Sequence, residues 1–272
     1  MSTKTEQAVY SHGHHRSVVE DHARRTAQDS AAFLIPHIKP TDTILDLGCG
    51  PGTITADLAE LVPQGRVVGG DPVESVLKQA AEYAQSRGVS NVTFEKIDGN
   101  QLSFPDDSFD VVTCHQVLQH VKDPVGILKE MRRVVKPGGI VAAREADYKT
   151  FAWYPEPADL ARWAQLYQQV AKTNGGEPNA GRYCHVWARE AGFDADKIEA
   201  SWDHWRYSGE RARQFSQSWS GRILQPGFLQ TAVREGFATA EEIEQISKGW
   251  KAWGLEEDAF IAIPHGQILC RK

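Results

Sequence analysis

The fold is decided by the stretch Ile44-Leu45-Asp46-Leu47-Gly48-Cys49-Gly50-Pro51-Gly52. A short apolar strand carries an acidic residue, Asp46, near its end and runs into three glycines that alternate with other residues. Glycine at such a turn lets the backbone approach a ligand that a larger side chain would keep away. The stretch therefore predicts a strand, a glycine turn and a helix that together bind a nucleotide-like cofactor.

Strands and helices alternate in the residues that follow this turn. Apolar runs predict the strands, and helical spacing predicts the helices between them. The predicted strands are 43–47, 66–70, 92–97, 109–115 and 140–144, and the predicted helices are 53–62, 73–87 and 124–135. A sharp turn is predicted at Lys136-Pro137-Gly138-Gly139. This alternation predicts an α/β fold with a parallel sheet and helices on both faces.

The regular alternation stops after Glu145. Beyond it the patterns predict helices at 158–172 and 181–191, a strand at 197–207, an entirely helical segment at 208–256 and a final strand at 259–270. We expect an N-terminal arm and first helix at 1–30, a core formed by 31–207 and 257–272, and a helical lid at 208–256. The lid is expected to cover the carboxyl edge of the sheet.

The composition argues against several classes of protein. The net charge of −6 and the lack of a Lys/Arg block argue against a nucleic-acid surface. No apolar run reaches the roughly 18 residues that a membrane span needs. The cysteines at 49, 114, 184 and 270 lack metal-ligand spacing and are expected to be buried, reduced thiols of a cytoplasmic protein. No metal site is expected, and the oligomeric state is left open.

An ordered set of motifs resembles class I S-adenosylmethionine-dependent methyltransferases. The set consists of the glycine turn at 46–52, Asp71 after the second strand, Asp98-Gly99 after the third, the run 102–110 and the turn at 136–139. Within that class it resembles the branch of ubiquinone/menaquinone-type and other small-molecule methyltransferases. The resemblance covers about residues 40–145. It implies a Rossmann-like, seven-stranded, mostly parallel sheet with a helical lid inserted before the last strand.

The resemblance implies S-adenosylmethionine as cofactor and S-adenosylhomocysteine as product. Ligands of open α/β sheets bind beyond the carboxyl ends of the strands, where Asp71 is placed to accept from the ribose hydroxyls. By resemblance, Asp98 accepts from the adenine amino group, and the Gly48 backbone and the carbonyl near His115 hold the methionine ammonium. The expected cofactor-binding residues are Tyr10, Asp46, Gly48, Gly50, Asp71, Asp98, Gly99 and His115. The alternative for Asp46 and Asp71 is a capping role in their turns.

Methyl transfer is an in-line displacement at a sulfonium carbon, so the protein mainly aligns the nucleophile and excludes water. A general base is needed only where the nucleophile arrives protonated. The candidates are His120 after the fourth strand, Asp147 after the fifth and His14 near the N-terminus. The alternative for His120 is a structural histidine.

The segment Tyr10-Ser11-His12-Gly13-His14-His15-Arg16 is dense in histidine. We expect an ordered arm over the cofactor, with Tyr10 near the sulfonium and His14 or His15 near the substrate. The alternatives are a frayed arm and a metal site, for which the rest of the sequence offers no matching ligand set.

Tryptophan is confined to the second half, because all eight lie after residue 150. The candidate substrate-binding residues are Tyr148, Trp153, Tyr154, Trp205, Trp219 and Arg222. Aromatic rings pack flat substrates and stabilise a sulfonium by cation–π contact, and the arginine is a candidate partner for an anionic group. The alternative is that the indoles pack the core of the second half.

The sequence thus predicts methyl transfer to a small, aromatic or apolar metabolite, with no nucleic-acid or membrane partner. A nicotinamide dehydrogenase also uses a glycine turn, but its glycines run GxGxxG, whereas here they run GxGxG. Two other classes stay open. One is a peptide or protein methyltransferase, which needs an open cleft, and the other is a protein that binds the cofactor for regulation or non-methyl chemistry.

Removal of residues 1–16 is predicted to raise the dissociation constant for S-adenosylmethionine, because the arm is expected to cover the cofactor. Calorimetric titration of the full and the shortened chain measures the difference. An unchanged constant would contradict the ordered-arm interpretation.

Overall fold

The computed structural model of the chain describes residues 24–272. Its strands are β1 Thr43–Leu47, β2 Arg66–Asp71, β3 Val92–Lys96, β4 Phe109–His115, β5 Val135–Ala146, β6 Ala152–Tyr154, β7 Ile198–Ser208 and β8 Phe260–Arg271. Its α-helices are α1 Ala27–Ser30, α2 Thr53–Leu61, α3 Glu74–Ser86, α4 Pro124–Val134, α5 Ala158–Thr173, α6 Cys184–Glu190, α7 Gly209–Arg222, α8 Pro226–Arg234 and α9 Ala240–Trp253.

The strands of the described residues form one sheet of eight. The order is β3-β2-β1-β4-β5-β8-β6, and β7 also pairs with β8. Strands β1 to β5 are parallel to one another, whereas β8 is antiparallel to β5, β6 and β7. The predicted α/β fold with a mostly parallel sheet is confirmed. The strand number of seven is wrong, because the short β6 adds a strand where the sequence predicted only a loop.

The residues of the predicted sharp turn, 136–139, lie within β5 and not before it. β5 begins earlier, at Val135, which pairs with Phe109 of β4. Regular pairing resumes at Ile140, and the register shifts in between, as in a β-bulge. Gly138 has a φ of 77°, which is a left-handed conformation that glycine adopts without strain. The glycines therefore mark an irregularity within the strand.

A layer of helices covers the side of the sheet formed by β6, β7 and β8. Helices α7, α8 and α9 make up the predicted helical segment 208–256, and they share one hydrophobic cluster with α5. Ile261 and Ile263 of β8 belong to the same cluster. The layer thus includes α5, which the sequence-based division assigned to the core.

Four tryptophans form the centre of this helical layer. Trp163, Trp219, Trp250 and Trp253 are each 2% exposed or less. The Trp163 ring lies 4.7 Å from that of Trp219 and 4.8 Å from that of Trp250, in edge-to-face geometry. Tyr148 packs in the same cluster. The core alternative fits these side chains, because Trp219 and Tyr148 both belong to this cluster, and their predicted contact with substrate stays a prediction.

Trp163→Ala is predicted to lower the free energy of unfolding by about 3–5 kcal/mol, because it opens a cavity between α5, α7 and α9. The control is Trp202→Ala on β7, where the tryptophan is 54% exposed, and its expected cost is below about 1 kcal/mol. Urea unfolding followed by circular dichroism measures both variants. Equal losses would contradict the assignment of Trp163 to the core.

Candidate active site

The glycine turn joins the end of β1 to the start of α2. The backbone N–H groups of Gly48 and Cys49 donate to the carbonyl of Gly70 in β2, at 2.7 and 3.0 Å. Gly50 has a φ of 54°, and a Cβ added to it would have no atom within 4 Å. The backbone at Gly50 is therefore open to a ligand.

Asp46 fixes α2 against β1. Its carboxylate is 3% exposed and accepts a 2.6 Å hydrogen bond from the hydroxyl of Thr55. Burial raises the pKa of Asp46 to about 6; the charge of Asp71 adds to the rise, and the Thr55 bond opposes it. Asp46 thus positions the glycine turn from the protein interior, which is the capping role that the sequence left open beside cofactor contact.

Asp71 lies at the end of β2, directly beside the glycine turn. One carboxylate oxygen accepts from the Gly50 N–H at 3.2 Å, and the other accepts from the Val73 N–H at 3.0 Å. The charges of Asp46 and Asp71 both add to the effect of burial in raising the pKa of the Cys49 thiol, so the two carboxylates converge on this turn. A carboxylate has about four acceptor sites, so capping by Asp71 is compatible with ribose binding.

Asp98 lies two residues beyond β3, at the same edge of the sheet. Its Oδ1 accepts from the backbone and side-chain nitrogens of Asn100, at 2.9 and 2.8 Å, and the residue is exposed. Gly99 is enclosed, because a Cβ there would lie 2.8 Å from Cδ1 of Ile127. The three predicted acids therefore occupy the carboxyl ends of adjacent strands, β1, β2 and β3.

The loop after β4, residues 116–120, is held by one buried carboxylate. Glu145 of β5 is 0% exposed and accepts three backbone N–H bonds from this loop, at 2.9, 2.9 and 3.1 Å. Burial raises the pKa of Glu145 to about 7, while these bonds oppose the rise. Val117 of the loop packs on the glycine turn, because a Cβ on Gly48 would clash with it. Glu145 thereby fixes the loop against the turn.

A buried cluster that contains two arginines lies at the end of β4. His115 pairs in register with Arg144 of β5. The His115 ring lies 5.5 Å from the Trp205 ring, and the guanidinium carbons of Arg144 and Arg25 lie 4.7 and 5.1 Å from it. The Trp205 indole N–H donates to the Asp29 carbonyl at 2.8 Å, which ties β7 to α1. We call Arg25, His115, Arg144 and Trp205 the Trp205 cluster.

His265 of β8 borders this cluster, with its ring 4.5 Å from the Trp205 ring. Its Nδ1 lies 2.8 Å from the Ile263 carbonyl, and its Nε2 lies 2.8 Å from the side-chain nitrogen of Gln116. Because a carbonyl only accepts, Nδ1 carries the proton and Nε2 accepts from Gln116. Burial, and after it the charge of Arg144, lowers the pKa of His265 well below its usual range. The ring is therefore neutral.

His120 is held in a similar way. The Ala146 N–H donates to Oε1 of Gln119 at 3.0 Å, so the amide nitrogen of Gln119 donates to Nε2 of His120, also at 3.0 Å. Burial, followed by the charges of Arg25 and Arg222, lowers the pKa of His120 to about 3. A ring of such low basicity does not fit the role of general base that was predicted for His120. The structural alternative fits this geometry.

Asp147 was predicted to face the substrate, but in the structure it forms an internal ion pair. It is 0% exposed, and each of its carboxylate oxygens accepts a 2.6 Å hydrogen bond from Arg182. This bidentate pair is strong and geometrically fixed. Asp147 therefore orders the chain after β5, and its burial keeps it from acting as a base on a substrate.

The other predicted residues are dispersed. Tyr154 is 59% exposed on β6, and Trp153 packs on Trp163, with the rings 6.3 Å apart. Arg222 is 3% exposed, with its guanidinium carbon 5.2 Å from the Trp219 ring, and its role as partner of an anionic substrate group stays a prediction. Of the six candidate substrate residues, Trp205 alone belongs to the Trp205 cluster. Residues 10 and 14 lie outside the described part of the chain.

The described residues, 24–272, show neither a metal site nor a membrane span. No group of three or more His, Cys, Asp or Glu side chains in this range is arranged to hold a metal ion. No helix in the same range combines the length and the apolar character of a membrane span. The four cysteines are buried and free, as expected.

The residues around the glycine turn fit the chemistry of S-adenosylmethionine. The open backbone of Gly50 lies beside the carboxylate of Asp71, so a ribose placed there would meet a strong hydrogen-bond acceptor. Asp98, exposed at the next strand end, is an acceptor of the kind that an adenine amino group requires.

Comparison with known proteins gives the same class. The model of a family described as a methyltransferase domain matches residues 38–213. A probable methyltransferase of Aspergillus luteorubrus, ltbC, is 37% identical over 97% of this chain and 97% of its own length. A Bacillus halodurans protein, provisionally assigned as a methyltransferase, shares the fold with a TM-score of 0.60 at 20% identity, over 89% of this chain and 97% of its own.

The chain belongs to the methyltransferase-domain family and is an S-adenosylmethionine-dependent methyltransferase. The resemblance to the menaquinone branch is also confirmed. The demethylmenaquinone methyltransferase of Geobacillus stearothermophilus is 44% identical over 107 residues, which are 39% of this chain and 46% of that protein. The likeness to that branch is thus strongest in one segment of the chain.

Sequence reasoning missed Arg25, Arg144, Glu145 and His265. Arg144 and Glu145 follow the apolar run 140–143, and the predicted strand ended at Arg144. The strand continues to Ala146, and both side chains are buried, at 1% and 0% exposure. Two charged residues inside an otherwise apolar strand were the available signal.

Gly50→Ala and Gly52→Ala form a matched pair that tests the turn. Both glycines have positive φ, so each substitution costs about 1–2 kcal/mol of backbone strain. A Cβ on Gly52 would also lie 2.6 Å from Cβ of Ala80, so Gly52→Ala is predicted to destabilise the fold more than Gly50→Ala does.

Gly50→Ala is predicted to weaken S-adenosylhomocysteine binding by more than about tenfold, although it destabilises the fold less than Gly52→Ala does. Thermal unfolding and calorimetry measure the two effects, and unimpaired binding by Gly50→Ala contradicts the assignment.

Proposed function

We propose that this enzyme transfers the methyl group of S-adenosylmethionine to a small, aromatic or apolar molecule by in-line displacement. The observation that carries the proposal is the burial of the groups at the end of β4. Arg144 and Trp205 are 1% and 9% exposed. A protein or nucleic-acid substrate needs an open surface beside the cofactor, whereas a small molecule can be enclosed. The net charge of −6 also favours a partner other than nucleic acid.

The chain's own residues bind and align the reactants. Bound S-adenosylmethionine supplies an electrophilic methyl group on its sulfonium. Asp71 and the Gly50 backbone hold the adenosyl end, and Glu145 fixes the loop that separates this end from the Trp205 cluster. The buried surroundings of the cluster exclude water, which favours displacement by the bound substrate over hydrolysis.

The three buried histidines near the end of β4, which include His265 of β8, are not basic enough to take a proton at neutral pH. Burial is the largest cause that lowers the pKa of His115, His120 and His265. A nucleophile that arrives protonated would therefore lose its proton to solvent or to another group, for which His14 stays a prediction. A nucleophile that is already ionised in water meets this requirement most simply.

Asp71→Asn is predicted to weaken S-adenosylhomocysteine binding by about 10–100-fold, because it removes a charged acceptor from the ribose. The matched control is Asp196→Asn, at an exposed aspartate outside the site, which should bind as the wild type does. Calorimetric titration measures all three proteins. A wild type that binds neither S-adenosylmethionine nor its product would contradict the proposed function.

Release of S-adenosylhomocysteine then separates turnover from binding alone. Phenols, quinols, thiols, amines, aromatic acids and a peptide mixture are each incubated with the wild type and with Asp71→Asn. The proposal expects release with at least one class and little with the variant. Binding of the cofactor with no release from any class, or with release only from a peptide, favours the alternatives of a non-methylating protein or a peptide methyltransferase.

A further inference from the structure

Arg144 is a buried cation with unused donors. It is 1% exposed, and its Nε, Nη1 and Nη2 make no hydrogen bond to any residue from 24 to 272. Asp203 approaches Nη2 only to 3.9 Å, and its side chain is 47% exposed. A guanidinium carries five N–H donors, and burying them without acceptors is unfavourable.

His115, its neighbour on β4, presents the same feature. Both of its ring nitrogens are buried and make no hydrogen bond within the described residues. Burial and the charge of Arg144 lower its pKa well below the usual range, so the neutral ring has one N–H donor and one acceptor. Since His115 and Arg144 are paired in register and both face Trp205, their unused donors lie in one region.

The acidic residues near this region do not accept hydrogen bonds from Arg144. The charges of Asp203 and Asp29 stabilise the cationic form of Arg144, and the charge of Arg25 destabilises it. The Oδ1 of Asp29 is already bonded to the Thr26 N–H and the Ser30 hydroxyl, at 3.0 and 2.6 Å. Arg144 therefore has attractive charges nearby but no acceptor within hydrogen-bond distance.

Stacking on Trp205 does not by itself account for a buried arginine. Cation–π contact is worth less than the hydrogen bonds that a guanidinium gives up on burial. An apolar side chain of similar volume at such a position commonly leaves a fold as stable or more stable. Arginine at this position therefore points to a ligand that supplies the acceptors.

We propose that Arg144 and His115 bind an acidic oxygen group of the substrate, a carboxylate or a comparably ionised oxygen. The planar donor pair of a guanidinium matches the two oxygens of a carboxylate, and the His115 N–H supplies a further donor. This inference rests on the proposed function and narrows it. The substrate is a small organic acid, and its charged end is bound in the Trp205 cluster.

The test uses the wild type saturated with S-adenosylhomocysteine and titrated by calorimetry with three probes, benzoate, phenylacetate and 2-naphthoate. Each acid is compared with its own neutral amide. The expected result is that at least one acid binds tenfold or more tightly than its amide. In Arg144→Met this preference falls below twofold, and in Arg144→Lys, which keeps the charge but not the planar fork, it is intermediate.

Two further variants separate binding from a structural role. Asp203→Asn removes the nearest described acid and should keep the preference for acids, and Arg213→Met removes an arginine whose side chain is 48% exposed and should change nothing. Without ligand, Arg144→Met should unfold at the same temperature as the wild type or higher. Unfolding more than about 5 °C lower, together with an equal drop in Asp203→Asn, would show a structural ion pair and overturn the inference.

The remaining outcomes are also decisive. A wild type that binds S-adenosylhomocysteine but prefers no acid over its amide overturns this inference and leaves the proposed function standing. A wild type that does not bind S-adenosylhomocysteine contradicts the proposed function itself. If Arg144→Met weakens S-adenosylhomocysteine binding tenfold or more, the carboxylate on Arg144 is the methionine carboxylate of the cofactor, and the assignment to the substrate is wrong.

Discussion

The buried carboxylate of Glu145 is the interaction on which the site depends. It satisfies three consecutive backbone N–H groups after β4, which otherwise would be buried without acceptors. The loop it holds packs on Gly48 through Val117. The same loop supplies Gln116 to His265. One side chain thus sets the relative position of the glycine turn and the Trp205 cluster, which in our account bind the two reactants.

This arrangement lowers the stability of the fold because it buries polar groups. Arg144 is 1% exposed, and a charged group buried in this way opposes folding unless it is paired. The tryptophan-rich helical layer supplies apolar burial that offsets such costs. Binding sites commonly trade stability for affinity in this way.

The sequence predicted the fold where a pattern had a single physical explanation. The bounds of β1 and β4 are as predicted, because an apolar run followed by a glycine turn or a polar loop leaves little choice of register. The prediction from sequence failed where tertiary packing decides the structure. The charges of Arg144 and Glu145 stand out beside the apolar run 140–143, but the local sequence does not show that Arg144 lies beside Trp205. The pairing of Asp147 with Arg182, 35 residues away, is equally invisible to local patterns, as is the edge pairing that makes β6 a strand.

If the glycine turn and the acids at the ends of β1, β2 and β3 hold the adenosyl group, Arg144 is left for the substrate. A crystal structure of the complex with S-adenosylhomocysteine decides this point. We predict carboxylate oxygens of Asp71 within about 3 Å of the ribose hydroxyls and a methionine carboxylate that does not touch Arg144. An adenosyl group bound elsewhere, or a methionine carboxylate paired with Arg144, would contradict it.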